Sequence, residues 1–196
     1  MVDLGCGGGG VTIELARRLA AGGGAWRLVG VDASPACVEA AEKALAGAGA
    51  GAGAGDGARD ARPSVAFEVA RVGEDDGLLA DLRPDVVVSS LFLHHLEDEP
   101  LDAVLAACAR HARRAVVMDD LRRDRRSLAL VRVGVRVLSR CPVVHVDGPR
   151  SVRAALTPAE LRRRAEAAGL AGARVRSAGP ARMRLAWRRP SAEATS

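Results

Sequence analysis

Apolar residues recur along this chain with two different spacings. Leu28-Val-Gly-Val31, Val86-Val-Val88 and Ala115-Val-Val-Met118 are short continuous runs, the pattern of strands buried on both faces of a parallel sheet. Ser64-Val-Ala-Phe-Glu-Val-Ala70 alternates instead, as a further strand. Between such runs, Val11, Ile13, Leu15 and Leu19 fall on one face at helical spacing. Helices are also predicted over Pro35–Ala46, Asp98–His111 and Leu121–Leu138, and one begins at Thr157-Pro158 with Glu160 at the capping-box position. His145 to Arg153 reads as a polar connection. Gly172–Ser177 and Arg182–Trp187 read as two strands joined by a Gly179-Pro180 turn. Strands alternating with helices indicate an α/β fold with a mostly parallel sheet.

The first ten residues, Met1-Val-Asp-Leu-Gly-Cys-Gly-Gly-Gly-Gly10, end a buried strand in a glycine-rich turn that runs straight into a helix. Glycine lacks a Cβ, so such a backbone turns tightly and lets a ligand reach the positive end of the helix. Two cofactor classes fit the glycines alone. Gly5, Gly7 and Gly10 satisfy the dinucleotide GxGxxG fingerprint. Asp3, Gly5, Gly7 and Gly9 satisfy the D-x-G-x-G-x-G pattern of S-adenosylmethionine (SAM) methyltransferases. Asp3 discriminates, because SAM carries an ammonium and a sulfonium where a dinucleotide carries a pyrophosphate. On VDLGCGGG the chain resembles the class I SAM-dependent methyltransferases. The segment SSLFLHHL (89–96) further resembles small-molecule methyltransferases of the ubiquinone and menaquinone biosynthesis type.

That resemblance implies a Rossmann-like class I methyltransferase fold: a mostly parallel seven-stranded sheet, helices on both faces, and a C-terminal antiparallel hairpin. One domain spans 1–190, with a flexible Gly/Ala loop at 47–62 and a disordered tail at 191–196. SAM is the implied cofactor, contacted by Asp3, Gly5, Cys6, Gly7, Gly9, Asp32, Ala33, Ser89 and Leu91. Asp32, ending the second strand, can accept both ribose hydroxyls. The family often places an acid after the third strand for the adenine amine; here that position falls near Arg71 or Val72, with Glu74 and Asp75 slightly later. Family members generally carry helices ahead of the first strand, whereas only Met1 to Leu4 precede this turn. The chain is therefore expected to be truncated or to have an unusually open site.

Methyl transfer needs orientation more than catalytic groups. A phenolic acceptor, with a pKa of about 10, still needs a base such as an imidazole near ~6.5. His94, His95 and His145 are the candidates, at most one of the adjacent pair facing the substrate because neighbours on a helix point about 100° apart. Phe92, Asp147 and Arg150 are the expected substrate contacts. The acceptor is expected to be small and aromatic, phenolic or quinone-like. Two other readings stand beside it: an NAD(P)-binding Rossmann oxidoreductase, and a non-catalytic protein on the SAM fold.

Composition narrows the partners. The net charge of +5 comes from arginine in a chain rich in alanine and glycine, with Lys43 the only lysine, so it is weak support for nucleic acid. No Asn or Asp-Pro-Pro-aromatic motif follows the fourth strand, which disfavours methylation of a flipped base. Cys6, Cys37, Cys108 and Cys141 are scattered without a CxxC pair, so no metal site is expected and a reducing, cytoplasmic setting is the simplest reading. No segment approaches the ~20 apolar residues of a membrane span.

Overall fold

The structure is a computed structural model that describes residues 1–48 and 64–190. Most of the predicted Gly/Ala loop, from residue 49 on, and the 191–196 tail lie outside the described residues. The strands are β1 (Val2–Leu4), β2 (Arg27–Asp32), β3 (Ser64–Val69), β4 (Val86–Ser90), β5 (Ala115–Leu121), β6 (Arg174–Ser177) and β7 (Arg182–Arg188). The helices are α1 (Gly10–Gly22), α2 (Pro35–Gly47), α3 (Gly77–Leu82), α4 (Asp98–His111), α5 (Arg125–Leu138), α6 (Pro142–Ala154) and α7 (Pro158–Ala167), with one 3-10 turn at Leu93–His95.

One seven-stranded sheet results, in the order β3-β2-β1-β4-β5-β7-β6. Only β7 runs against its neighbours, pairing antiparallel with both β5 and β6. β1 sits between β2 and β4, with Leu4 opposite Val31 on one side and Ser89 on the other. The chain winds outward from β1 through β2 and β3, then restarts on its other side at β4, so the β1/β4 boundary is where the winding reverses. Ligands of open α/β sheets bind at such a reversal, beyond the strands' carboxyl ends.

Alternation decides which faces are buried. Val87, Val116, Met118, Met183 and Leu185 pack with Val104, Leu105 and Cys108 of α4 and Leu161 and Ala165 of α7 in the larger core. A second core joins β2 and β3 to α1 and α2 through Leu28, Val65, Phe67, Ala16, Val38 and Ala41. Helix starts follow the sequence. Ser34 caps α2 by accepting from the Cys37 amide, with Pro35 at the first helical position. Thr157 and Glu160 form the reciprocal capping box of α7, at 3.2 and 2.8 Å.

Two expectations are corrected. Residues 145–153 are not a connection but most of α6. Gly148 and Pro149 look like turn residues, yet they sit inside the helix because a side chain at 148 would collide with Val131 and Val135 of α5, while Pro149 and Val152 are buried. The helix predicted over 121–138 starts only at Arg125, because Leu121 extends β5 and Asp124 caps the helix through the Ser127 amide at 2.8 Å. The short helix α3 was not anticipated; six residues are too few to show a period.

Candidate functional site

The turn after β1 is built on left-handed glycines: Gly5, Gly7 and Gly9 have φ of 66, 52 and 78°. A Cβ at Gly5 would enter the Phe92 ring, and one at Gly9 would lie 2.8 Å from Ala41 Cβ and 2.9 Å from Phe67 Cζ. Only glycine fits either position, on both backbone and space. The Gly5 and Cys6 amides donate to the Val31 carbonyl at 2.8 and 3.1 Å. Asp32 locks the arrangement, one carboxylate oxygen accepting from Gly7 N and the other from Ser34 N, each at 2.9 Å. A carboxylate has about four lone-pair sites, so acceptor capacity remains on Asp32 for ligand hydroxyls.

Beyond the turn lies a recess of about 560 Å³, bounded by Gly5, Asp32 and Ala33, by the stretch Ala70–Glu74, and by Phe92, His95, Leu96 and the start of α4. Its volume falls within the range of small-ligand sites. Four carboxylates, on Asp32, Glu74, Glu97 and Glu99, line it against one guanidinium, on Arg71. A pyrophosphate would meet this excess of like charge; a cationic ligand is attracted by it. The charge of the lining therefore fits SAM and opposes NAD(P). Glu97, Glu99, Pro100 and Ala103 escaped the sequence reading, although the acidic run directly after His94-His95 was a usable signal.

A second recess, about 740 Å³, flanks the same turn on the α1 side, with Asp3, Gly10, Ser89, Ser90 and Arg182 in its wall. Asp3 is buried and accepts from Thr12 Oγ1 at 2.6 Å. Burial pushes its carboxyl up to about 6, against the opposing pull of the Thr12 hydrogen bond. A cation brought beside it would restore the carboxylate. Cys6 is also buried, and desolvation raises its thiol to about 12, so its side chain packs rather than reacts.

Of the three candidate histidines only His95 reaches the first recess. His94 turns inward, its side chain 6% exposed, with Nδ1 2.6 Å from Asp120 Oδ1. Asp120, 2% exposed, also accepts from the His94 amide at 3.2 Å and the Leu121 amide at 2.5 Å, so one buried acid at the end of β5 anchors the 3-10 turn. The rings of His94 and His95 touch at a tilt of 39°, with centroids 4.0 Å apart. Burial and the His94 charge lower the pKa of His95, partly offset by Asp120 and Asp147, which holds its imidazole neutral near pH 7. His145 points elsewhere, its Nε2 2.7 Å from the Ser139 carbonyl between α5 and α6. Phe92 lines the recess, whereas Leu91, at φ 57°, is exposed. Ser89 is buried against the second recess, and Asp147 and Arg150 are exposed on α6.

The strand order with its antiparallel β7, the glycine turn and the strand-end Asp32 define a class I SAM-dependent methyltransferase. The chain belongs to the methyltransferase-domain family, whose sequence model matches residues 1–115. Solved structures share the fold at low identity. Magnesium protoporphyrin IX methyltransferase from Synechocystis PCC 6803, with bound SAH, is 19% identical at a TM-score of 0.60, covering 96% of this chain and 73% of that one. A SAM-dependent methyltransferase from Aquifex aeolicus is 16% identical at 0.63, covering 95% and 80%. The plantazolicin methyltransferase BamL, in complex with a triazolic desmethylPZN analog and SAH, is 16% identical at 0.61, covering 92% and 58%. The finer likeness to ubiquinone and menaquinone enzymes finds no support in these three. A search of curated protein sequences finds no match.

Proposed function

We propose that the protein transfers the methyl group of SAM to a small aromatic, phenolic or quinone-like acceptor, with His95 as the base. The observation that carries this is the placement of His95: it is the one histidine in the wall of the acid-lined recess, which Phe92 also lines. Asp32 and Ala33 would hold the ribose, and the backbone of Ala70–Gly73 the adenine edge, with Glu74 in reach of the amine. Asp3 would meet the ammonium group beside the second recess. Bound SAM supplies an activated methyl carbon. The chain's own contribution is to orient the acceptor against it and to take the acceptor's proton on the imidazole of His95.

Asp120 acts through His94: by fixing that residue's ring and amide it sets where the next side chain points. Phe92 offers an apolar face on which a flat acceptor can lie. The exposed Asp147 and Arg150, on α6, would contact the outer part of the acceptor. The free cysteines are in keeping with a cytoplasmic setting. Among the described residues no helix is long and apolar enough to cross a membrane.

Calorimetric titration of the chain with SAH, with NADH as the control, tests the cofactor assignment; micromolar affinity for SAH alone is expected. A screen of phenols and quinols then tests the acceptor. His95→Ala should lower kcat roughly 100-fold while leaving SAH affinity within about twofold, in line with general-base contributions. Equal turnover in wild type and His95→Ala would remove the histidine from the mechanism.

A further inference from the structure

Nine large apolar side chains are exposed among the described residues, and six of them, Leu130, Val133, Val137, Val143, Val144 and Val146, belong to α5 and α6. Those two helices form a hairpin that packs tightly on itself, the Gly148 backbone against Val131 and Val135. Its outer surface is left open. Among the described side chains of α5 only Ser127 is fully buried. Leu130, Val133 and Val137 stand at i, i+3 and i+7, so they form one stripe along the helix, and Arg125, Arg132 and Arg136 lie on the adjoining face. On α6, Val143 and Val146 line up with Arg150 in the same way; these two valines are 71% and 70% exposed.

Charge separates this hairpin from the rest of the molecule. Residues 125–153 hold seven arginines, at 125, 126, 132, 136, 140, 150 and 153, against a single acid, Asp147. None of the seven forms an ion pair among the described residues. Arginines elsewhere do so repeatedly, as Arg164 with Asp98 and Asp102, or Arg184 with Asp119. We infer that the α5–α6 hairpin docks on an anionic lipid surface, its aliphatic stripes entering the headgroup boundary and its arginines meeting the lipid phosphates.

Each alternative occupant satisfies only half of the surface. A second copy would cover the valines but set seven arginines against seven more. A nucleic acid would answer the charge but leave aliphatic stripes that offer no aromatic ring for base stacking. An anionic bilayer answers both, and a helix with a cationic face beside an apolar one is the form that lies in a membrane interface. α6 also adjoins the 3-10 turn, with Asp147 close enough to raise the proton affinity of His95. If His95 serves as the base toward a methyl acceptor, the hairpin lies beside the turn that carries it, and a lipophilic acceptor would enter from the bilayer. The docking itself stands without that reading.

Flotation of the full chain with vesicles tests the inference without any activity measurement. Vesicles of phosphatidylcholine with phosphatidylglycerol should carry the protein, vesicles of phosphatidylcholine alone should not, and high salt should weaken the binding. Val133→Ser/Val137→Ser/Val143→Ser, all at exposed positions, should lower the vesicle affinity roughly tenfold or more, while the melting temperature and SAH affinity stay as in wild type. Arg132→Glu/Arg136→Glu should abolish it. Three results overturn the inference: no difference between the two vesicle types, full binding by the triple serine variant, or a wild-type dimer in sedimentation that the same serines dissociate. Loss of SAH binding with vesicle binding intact would instead count against the functional reading alone.

Discussion

Around β1 the buried acids have partners inside the chain, whereas on the α5–α6 hairpin the arginines have no ion-pair partner among the described residues. Asp32 fixes two backbone amides, Asp3 takes the Thr12 hydroxyl, and Asp120 holds three groups at once. The hairpin holds seven arginines without an ion pair among the described residues and leaves six aliphatic side chains in water. Buried, satisfied polar groups specify one geometry and tolerate little change. Unpaired surface charge beside exposed aliphatics specifies no internal geometry, and its information concerns something outside the fold. Substitutions of the buried groups near β1 should therefore change stability, whereas substitutions on the outer surface of the hairpin should leave it unchanged.

The largest effect is expected at Gly9. Gly9→Ala imposes a Cβ at φ 78° and against Ala41 and Phe67, and should cost about 3 kcal/mol in denaturant unfolding, with loss of SAH binding. Asp3→Asn should move stability the other way. A folded carboxyl near pH 6 against an ordinary 3.8 keeps a proton that the unfolded chain releases, so its contribution falls as pH rises between those values. Above pH 6 the native state carries the full penalty, up to about 3 kcal/mol. Asp3→Asn should raise the melting temperature at pH 7.5, do so less near pH 4.5, and weaken SAH binding at least tenfold. In the wild type, SAH affinity should decline as pH falls through about 6.

Smaller effects belong to the hairpin. Gly148→Val separates α5 from α6 and should cost about 1–2 kcal/mol, with faster amide exchange in α5 and SAH affinity unchanged. Smallest of all, thiol alkylation of the native protein should label the exposed Cys141 and spare the buried Cys6 and Cys108.

Much of the first region was legible in the sequence. A glycine turn needs glycine at particular residues, so Asp3, Gly5, Gly7 and Gly9 announce it, and a run such as Leu28–Asp32 announces both a strand and the acid that ends it. In the sequence Asp120 is only an acid that follows the apolar run Ala115–Met118; its hold on His94, 26 residues earlier, exists only once β5 lies beside β4. For the same reason spacing could say that at most one of His94 and His95 would face the substrate, but not which. α6 was misread because Gly148 and Pro149 carry turn chemistry locally, while the reason for glycine there is a neighbouring helix. Glu97 and Glu99 resemble ordinary acids at a helix start, and only the fold brings them into one recess with Asp32.

Gly5 and Phe92 compete for one volume, since the phenyl ring occupies the space that any side chain at position 5 would need. The two positions, 87 residues apart, therefore share one steric constraint. A lineage that loses the ring at 92 frees position 5 only as far as its positive φ allows, while a larger residue at 5 is viable only where 92 has already shrunk. Across the relatives of this chain the two should change in that order, and a comparison that scores each position alone will take a shared constraint for two independent ones.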